Sequence, residues 1–184
     1  MENKGMYTDL EKILITKEQL DSRIREIAAE LDKEYAGRNP LMVCILKGAV
    51  MFFSDLTRAM TIPLAIDFMA ISSYGAGTRS SGEVRMIKDL DGKIEGRDLI
   101  IVEDIMDSGY TLSYLKKALS SRMPNSIKIC CLLDKPSRRE VPIEPDYVCF
   151  EVENQFVVGY GLDYDQKYRN LPEIGILKPS VYEK

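Results

Sequence analysis

The sequence predicts an α/β fold in which a mainly parallel, buried sheet is flanked by helices. Short apolar runs of strand length alternate with segments of helical character along most of the chain. The strand-like runs are apolar along most of their length, as strands covered on both faces are. The 184 residues are 45% hydrophobic and 29% charged, which suits one domain of ordinary size. Because no repeat or linker interrupts the chain, we expect a single domain over residues 1–184.

The first elements follow from spacing and capping. A helix is expected to start at Thr16, because Gln19 lies three residues later, as a capping box requires. Gly37 is a plausible stop for this helix. Its apolar positions recur at helical spacing and are Leu20, Ile24, Ile27 and Leu31. The next predicted elements are a strand over 41–47, a helix over 48–60 and a strand over 64–71.

The second half continues the alternation after a break. Residues 72–82 are rich in Gly and Ser with little to bury, and we expect a mobile loop there. Asp91-Gly92 is a turn signal with strand-like segments on both sides. The remaining predicted elements are strands over 83–88 and 94–105, a helix over 111–121, and strands near 127–133, 147–152 and 156–160.

Composition excludes several classes of function. The formal net charge is -4 and the pI is about 5.1, which disfavours non-specific binding of nucleic acid. No apolar run reaches the roughly 18 residues of a membrane span, and the N-terminus has no apolar core of a secretory signal. We therefore expect neither nucleic acid nor membrane as a partner.

Histidine and cysteine narrow the chemistry further. The chain has no histidine, which removes Ser-His-Asp and Cys-His catalysis and histidine metal ligands. Its four cysteines lie in apolar stretches and form no CxxC pair, so we expect reduced, packed thiols in a cytoplasmic protein. Acid-base work must then fall to Asp, Glu, Lys, Tyr or Cys.

The most informative segment is 99–112, LIIVEDIMDSGYTL. A buried strand ends on Glu103 and Asp104, Asp107 follows, and Ser-Gly-Tyr-Thr then leads into a helix. Ligands of open α/β sheets bind at the carboxyl ends of strands, and a tight loop entering a helix offers backbone N–H groups to an anion. Gly109 lets the backbone approach that anion, and Ser108 and Thr111 add hydroxyl donors. The segment therefore predicts a phosphate loop beside carboxylates suited to Mg²⁺ or sugar hydroxyls.

A structural alternative exists for the same residues. A strand-turn-helix can use Asp107 or Ser108 merely as an N-cap, and for an isolated DSG this would be the better interpretation. Two acids closing a buried strand favour the functional one. The absence of GxxxxGK excludes a Walker loop.

VEDIMDSGYTL resembles the phosphoribosyl-pyrophosphate motif of type I phosphoribosyltransferases, in particular the hypoxanthine-guanine branch of purine salvage. The similarity extends from the Leu46-Lys47-Gly48 loop to Arg169. Position 108 is Ser where some members have Thr, which keeps the hydroxyl, and Tyr110 places a side chain where mostly backbone is needed. The resemblance implies the type I fold, with a small hood formed by the terminal segments.

For the phosphoribosyl side, the resemblance implies the following. Lys47 and Gly48 contact pyrophosphate through a loop whose Leu-Lys peptide is often cis, and Arg169 contacts pyrophosphate as well. Backbone and hydroxyl groups of Ser108, Gly109, Tyr110 and Thr111 hold the 5′-phosphate. The implied cofactor is Mg²⁺, and the carboxylates offered to metal and ribose are Glu103, Asp104 and Asp163.

For the purine side, the resemblance makes Lys135 the donor to the 6-oxo oxygen and Phe156 the ring that stacks on the base. Taken singly, a loop lysine is usually solvated and a phenylalanine usually packs in a core. Backbone groups of Val157 and Asp163 face the 2-position edge, and Ile105 also belongs to the purine pocket. Asp107 is the candidate base for the purine N7 proton.

The 72–82 loop resembles the catalytic lid of the family, and the matched residues are Ser73 and Tyr74. A lid would exclude water from an oxocarbenium-like centre. Composition alone leaves a lid and a disordered surface loop about equally favoured, and the resemblance favours the lid.

The implied reaction joins hypoxanthine or guanine to the ribose of phosphoribosyl pyrophosphate, giving IMP or GMP and pyrophosphate. One alternative is a phosphoribosyltransferase for xanthine or another base. A second is a regulatory protein of the same fold that senses phosphoribosyl pyrophosphate, which the acidic pI and the full set of catalytic matches disfavour. The resemblance also implies a homodimer or homotetramer.

Overall fold

A six-stranded sheet forms the centre of the computed structural model, which describes residues 4–73 and 84–183. Its strands, in the order β4-β3-β2-β5-β6-β7, are β2 (Leu41–Leu46), β3 (Ala65–Ser73), β4 (Val84–Lys88), β5 (Asp98–Met106), β6 (Ser126–Asp134) and β7 (Tyr147–Glu151). All neighbours are parallel except β3 and β4. The predicted α/β fold with a mainly parallel sheet is therefore confirmed.

Helices cover both faces of this sheet. The long helices are α2 (Lys17–Glu34), α3 (Val50–Ala59) and α4 (Tyr110–Ser120). Apolar residues of α2 and α3 pack in one buried cluster with Met42 and Cys44 of β2, and those of α4 pack in another with Val43 and Ile45. Successive side chains of a strand point to opposite faces, so a continuous apolar strand supplies both layers.

The terminal segments build a second, smaller sheet beside the first. Its strands are β1 (Leu10–Ile15), β8 (Val157–Val158) and β9 (Ile174–Leu177), in the order β1-β9-β8 with antiparallel pairing. Two short helices, α1 (Lys4–Tyr7) and α5 (Pro179–Tyr182), flank it. This unit, together with the 159–171 segment between β8 and β9, is called the hood below. Its formation from the chain termini agrees with what the family resemblance implied.

The helix expected at Thr16 has the predicted start. The Thr16 hydroxyl accepts from the Gln19 N–H, the Gln19 side chain accepts from the Thr16 N–H, and both bonds of the capping box are present. The helix ends at Glu34, shortly before Gly37, whose φ of 75° is in the left-handed region that glycine tolerates.

Several predicted boundaries differ from the observed ones. The strand expected over 94–105 begins only at Asp98, because Gly96 has a φ of 71° and the Arg97 N–H bonds back to the Ile94 carbonyl in a turn. The strand expected over 156–160 is reduced to two residues. The segments on either side of Asp91-Gly92 do not pair with each other, since β4 lies at the sheet edge against β3 and β5 lies in the centre.

The four cysteines are free and buried, as their apolar surroundings predicted. Cys130 and Cys131 are neighbours on β6, yet each packs in a different cluster on its own face of the sheet. Among the residues that the structure describes, none of the helices combines the length and hydropathy needed to traverse a bilayer.

Candidate active site

A cavity of about 420 Å³ opens at the carboxyl ends of β2 and β5. Parallel strands end at one edge of a sheet, so the loops after β2 and β5 meet there. The predicted site residues that line it are Lys47, Gly48, Glu103, Asp104, Ile105, Asp107, Ser108, Gly109, Thr111, Asp163 and Arg169. Leu46, which belongs to the predicted Leu46-Lys47-Gly48 loop, also lines it, and three lining residues were not predicted: Ile45, Ile71 and Leu112.

The loop before α4 has the conformation expected of an anion-binding turn. Gly109 is the N-cap residue, with a φ of 87° and no side-chain cap hydrogen bond. A β-carbon at this glycine would lie 2.7 Å from Ile143 Cγ2 and 3.0 Å from Val141 Cγ2. Neither Asp107 nor Ser108 is the cap, so the alternative in which one of them serves as the N-cap is wrong. The first N–H groups of α4 lack intrahelical acceptors and lie at the positive end of the helix dipole.

Glu103 and Asp104 bring two carboxylates to the cavity at the end of β5. Glu103 is only 8% exposed. Burial, and then the neighbouring Asp104 charge, raise the pKa of Glu103, and burial also raises the pKa of Asp104. Within the described part of the chain, no lysine or arginine forms an ion pair with either acid. A cation or a hydroxyl donor from a ligand would relieve this cost.

The loop after β2 touches both the acid pair and the hood. The Leu46-Lys47 peptide is cis, in agreement with the family pattern. A β-carbon on Gly48 would lie 1.5 Å from Asp104 Oδ2. The same loop also approaches the hood closely, because a β-carbon on Gly161 would lie 2.1 Å from the Gly48 carbonyl oxygen. Gly161 has a φ of 101°, in the left-handed region that favours glycine. Three segments distant in sequence, which contain Gly48, Asp104 and Gly161, therefore meet closely where the two glycines carry no β-carbon.

Gly161 is a site element that the sequence analysis missed. The available signal is the spacing in Val-Val-Gly-Tyr-Gly, where Gly159 also has a positive φ, of 102°. The Gly-x-Gly spacing indicates a backbone conformation that favours glycine. It does not indicate that Gly161 approaches the loop after β2.

Arg169 and Asp163 form the hood side of the cavity. Arg169 Nη2 lies 2.7 Å from Asp163 Oδ1, and Arg169 Nη1 donates to the Gly161 carbonyl over 2.8 Å. Asp163 Oδ2 accepts from the Gln166 N–H over 2.9 Å. Across residues 4–73 and 84–183, no three acidic or cysteine side chains converge on a point that could hold a metal ion. Glu103, Asp104 and Asp163, the three predicted metal ligands, all line the cavity but do not form such a cluster.

Of the predicted purine residues, Ile105 and Asp163 line this cavity, whereas Lys135, Phe156 and Val157 do not. Lys135 follows β6 and is 7% exposed, with its ammonium donating to the Gln155 carbonyl over 2.7 Å. Burial lowers the pKa of Lys135. Phe156 is 38% exposed, whereas Val157 is buried in β8. Tyr110, expected in the phosphate loop, also lies outside the cavity lining, at the first position of α4.

Two arginines that the sequence analysis did not single out hold Asp107. Arg138 Nε donates to Asp107 Oδ1 over 3.0 Å, and Arg139 Nη1 donates to the Asp107 carbonyl over 2.5 Å. Arg139 also pairs with buried Asp134. Their signal was the Arg-Arg pair after Lys135, in the turn that follows β6. The predicted base is therefore fixed by its side chain and its backbone.

The predicted lid cannot be placed. Ser73 is the last residue of β3, and its side chain lies outside the described residues, as does the whole of Tyr74.

Comparisons with known proteins agree with this geometry. A family model described as a phosphoribosyl transferase domain matches residues 14–165. A Bacillus subtilis hypoxanthine-guanine phosphoribosyltransferase is 54% identical over 97% of this chain and 99% of that protein. A Staphylococcus aureus hypoxanthine phosphoribosyltransferase structure covers 100% of both chains with a TM-score of 0.96 and 48% identity. A Listeria innocua protein, "Bifunctional protein TilS/HprT", is 56% identical over 99% of this chain, which spans only 28% of that protein's length.

Proposed function

The chain belongs to the phosphoribosyltransferase family, and we propose that it transfers the 5-phosphoribosyl group from phosphoribosyl pyrophosphate to hypoxanthine or guanine. The products would be IMP or GMP and pyrophosphate, as in purine salvage. The observation that carries the proposal is the cavity in which the glycine-capped loop before α4 adjoins two carboxylates, buried Glu103 and half-buried Asp104. A neutral or cationic ligand would not need the anion-binding loop. An anion without a bound cation would be repelled by the two carboxylates.

The phosphoribosyl group would be held from both sides of the cavity. Backbone N–H groups at the start of α4, with the hydroxyls of Ser108 and Thr111, suit the 5′-phosphate. Lys47 and Arg169 line the cavity and supply positive charge for pyrophosphate, and a guanidinium matches its oxygens in a bidentate manner. Gly48 would let the pyrophosphate loop reach the acid pair.

A divalent metal fits the acid pair in chemical type. Glu103 and Asp104 offer hard oxygen ligands, and their burial without an ion-pair partner in the described chain leaves negative charge to be neutralised. Mg²⁺ at this position would neutralise charge on the leaving pyrophosphate. Asp163 is less suited to direct ligation, because both of its oxygens already accept hydrogen bonds or an ion pair within the hood.

The purine would lie between Lys135, Phe156 and the phosphate loop. A buried ammonium favours a 6-oxo acceptor over the 6-amino donor of adenine, because two facing donors cost roughly 1–3 kcal/mol. Ile105 would contact the base from the cavity, and backbone groups of Val157 and Asp163 would face its 2-position edge. Asp107 would take the proton from the purine N7. At the same time N9, the nitrogen that carries the ribose in IMP and GMP, would bond to the ribose C1, and the bond from C1 to pyrophosphate would break.

Two other functions are less well supported. A preference for xanthine would use the same Lys135 and Phe156, but the similar proteins are named for hypoxanthine and guanine. A regulatory sensor of phosphoribosyl pyrophosphate would not need a held base such as Asp107, and the similar full-length proteins carry enzyme names.

We also propose a homodimer or homotetramer in the cytoplasm. The assembly follows from the family resemblance, and the location agrees with four free, buried thiols.

The decisive experiment is a coupled spectrophotometric assay with phosphoribosyl pyrophosphate, Mg²⁺ and each of hypoxanthine, guanine, xanthine and adenine. We expect IMP or GMP formation with the first two and little product with adenine. Tight binding of phosphoribosyl pyrophosphate without turnover on any base would favour the sensor instead.

A further inference from the structure

The side chain of Tyr182, near the C-terminus, lies against the ring that we assign to purine stacking. We propose that Tyr182 is a positioning residue that holds Phe156 in the orientation needed to stack on the purine. This inference rests on the proposed function. It assigns a purine-specific role to the last helix of the chain.

The contact between the two rings is a parallel stack. The ring centroids of Phe156 and Tyr182 are 4.8 Å apart, and their planes differ by 22°. Tyr164 closes the group edge-on, with its centroid 5.6 Å from Phe156 and 6.5 Å from Tyr182. Offset-stacked and edge-to-face pairs at such distances are attractive beyond their buried area. We infer that the contacts with Tyr182 and Tyr164 fix both side-chain torsions of Phe156, although part of its ring is exposed.

The hood fixes Tyr182 in turn. The Leu177 N–H donates to the Phe156 carbonyl over 2.8 Å, which joins the strand before α5 to the stacking residue. Lys178 is tied to the N-terminal segment, because its N–H donates to the Asp9 carbonyl and its ammonium to the Thr8 carbonyl. Tyr182 itself packs against the buried apolar cluster of the hood. Tyr182 is therefore supported by the hood cluster as well as by the Phe156 ring.

The remaining surface of Phe156 is available to a ligand. Phe156 stays 38% exposed even with Tyr182 and Tyr164 in contact. The adjacent Gln155 carbonyl holds the Lys135 ammonium, so the proposed 6-oxo donor and the stacking ring are presented side by side. Among the described residues, those lining the cavity include Ile105 but none from α5. In the proposed arrangement, Tyr182 covers one face of the Phe156 ring and the base stacks on the other.

A competing arrangement makes the opposite prediction. If Tyr182 occupied the purine position in the free protein, it would act as an internal competitor, and its removal would strengthen purine binding. If Tyr182 supports Phe156, its removal lets the ring rotate and weakens purine binding. The sign of the change in KM for hypoxanthine therefore separates the two.

The test compares wild type, Tyr182→Ala, Tyr182→Phe and a control, Tyr114→Ala, which removes a 40% exposed tyrosine from α4. KM for hypoxanthine and KM for phosphoribosyl pyrophosphate are measured separately, with molecular mass by light scattering and Tm. For Tyr182→Ala we expect KM for hypoxanthine to rise about 3- to 10-fold, in line with the measured strength of aromatic pairs. KM for phosphoribosyl pyrophosphate should stay within about twofold, since no α5 residue lines the cavity. Tyr182→Phe and Tyr114→Ala should match wild type.

Each other result overturns the proposal. A fall in KM for hypoxanthine would identify a plug, and an unchanged value would remove Tyr182 from the pocket. Equal rises in both KM values, or an altered mass, would indicate general loosening or an effect through assembly. Equal impairment of the Phe and Ala variants would assign the effect to the hydroxyl.

If Tyr182→Ala fails to fold, Tyr182→Leu keeps apolar bulk without a flat face and should show the same purine-specific rise. An inactive wild type would instead refute the proposed function.

Discussion

The contact between Gly48 and Asp104 gives a sharp prediction. Gly48 has no positive φ, so alanine is tolerated by the backbone, but its β-carbon would lie 1.5 Å from Asp104 Oδ2. To restore an ordinary contact of 3.4 Å, this oxygen must move by about 2 Å. The movement strains the 2.7 Å hydrogen bond from the Ile105 N–H to Asp104 Oδ1 and takes the carboxylate away from the ribose or metal.

The expected cost is one charge-assisted interaction with the phosphoribosyl group, about 1.5–3 kcal/mol. At 1.4 kcal/mol per tenfold, kcat/KM for phosphoribosyl pyrophosphate should fall about 10- to 150-fold in Gly48→Ala. The fold should survive, because a side-chain end rather than backbone must move.

Steady-state kinetics at saturating hypoxanthine measure this, with Tm as the check on folding. Gly92→Ala is the matched control, since a β-carbon there meets nothing within 4 Å, and it should be indistinguishable from wild type. A Gly48→Ala variant with wild-type kcat/KM would show that the position of Asp104 does not matter for this substrate, and would refute the reasoning.

Three further predictions follow from the site. Asp107→Asn should lower kcat about 100-fold or more with a smaller change in KM, since a positioned base contributes that much; a change confined to KM would argue against a base. Lys135→Ala should reduce kcat/KM for hypoxanthine about 10- to 150-fold through the loss of a charged hydrogen bond worth about 1.5–3 kcal/mol, and equal efficiency of mutant and wild type would remove Lys135 from the pocket. Exhaustive chelation should abolish turnover, with Mg²⁺ or Mn²⁺ restoring it, because the acid pair offers only oxygen ligands; full activity without metal would contradict the proposed cofactor.

Local patterns were sufficient for much of the fold. The capping box at Thr16 and the helical spacing after it depend on neighbours within one turn, and both were predicted. The buried strands were visible because each is apolar on both faces. The strands of the hood were missed or overextended, since β1 and β9 are short and gain their stability by pairing with each other across most of the chain.

The candidate site divides in the same way. The sequence predicted the phosphate loop and the acid pair because these residues are consecutive, and the end of a parallel strand is where a ligand binds. It named Arg169 and Asp163 through family resemblance, but not that they pair with each other. It also overlooked Arg138 and Arg139, which hold Asp107 from the turn that follows the neighbouring strand β6.

By itself, the sequence determined the side chains available for chemistry: no histidine, a pair of adjacent carboxylates, and a Ser-Gly turn that we predict to bind phosphate. Only the tertiary structure decided which surfaces touch. The approach of Gly161 to Gly48, of Gly48 to Asp104 and of Tyr182 to Phe156 joins segments far apart in the chain. Such contacts arise when the hood and the main sheet pack together, and packing depends on the shapes of whole elements, which local residue preferences do not encode.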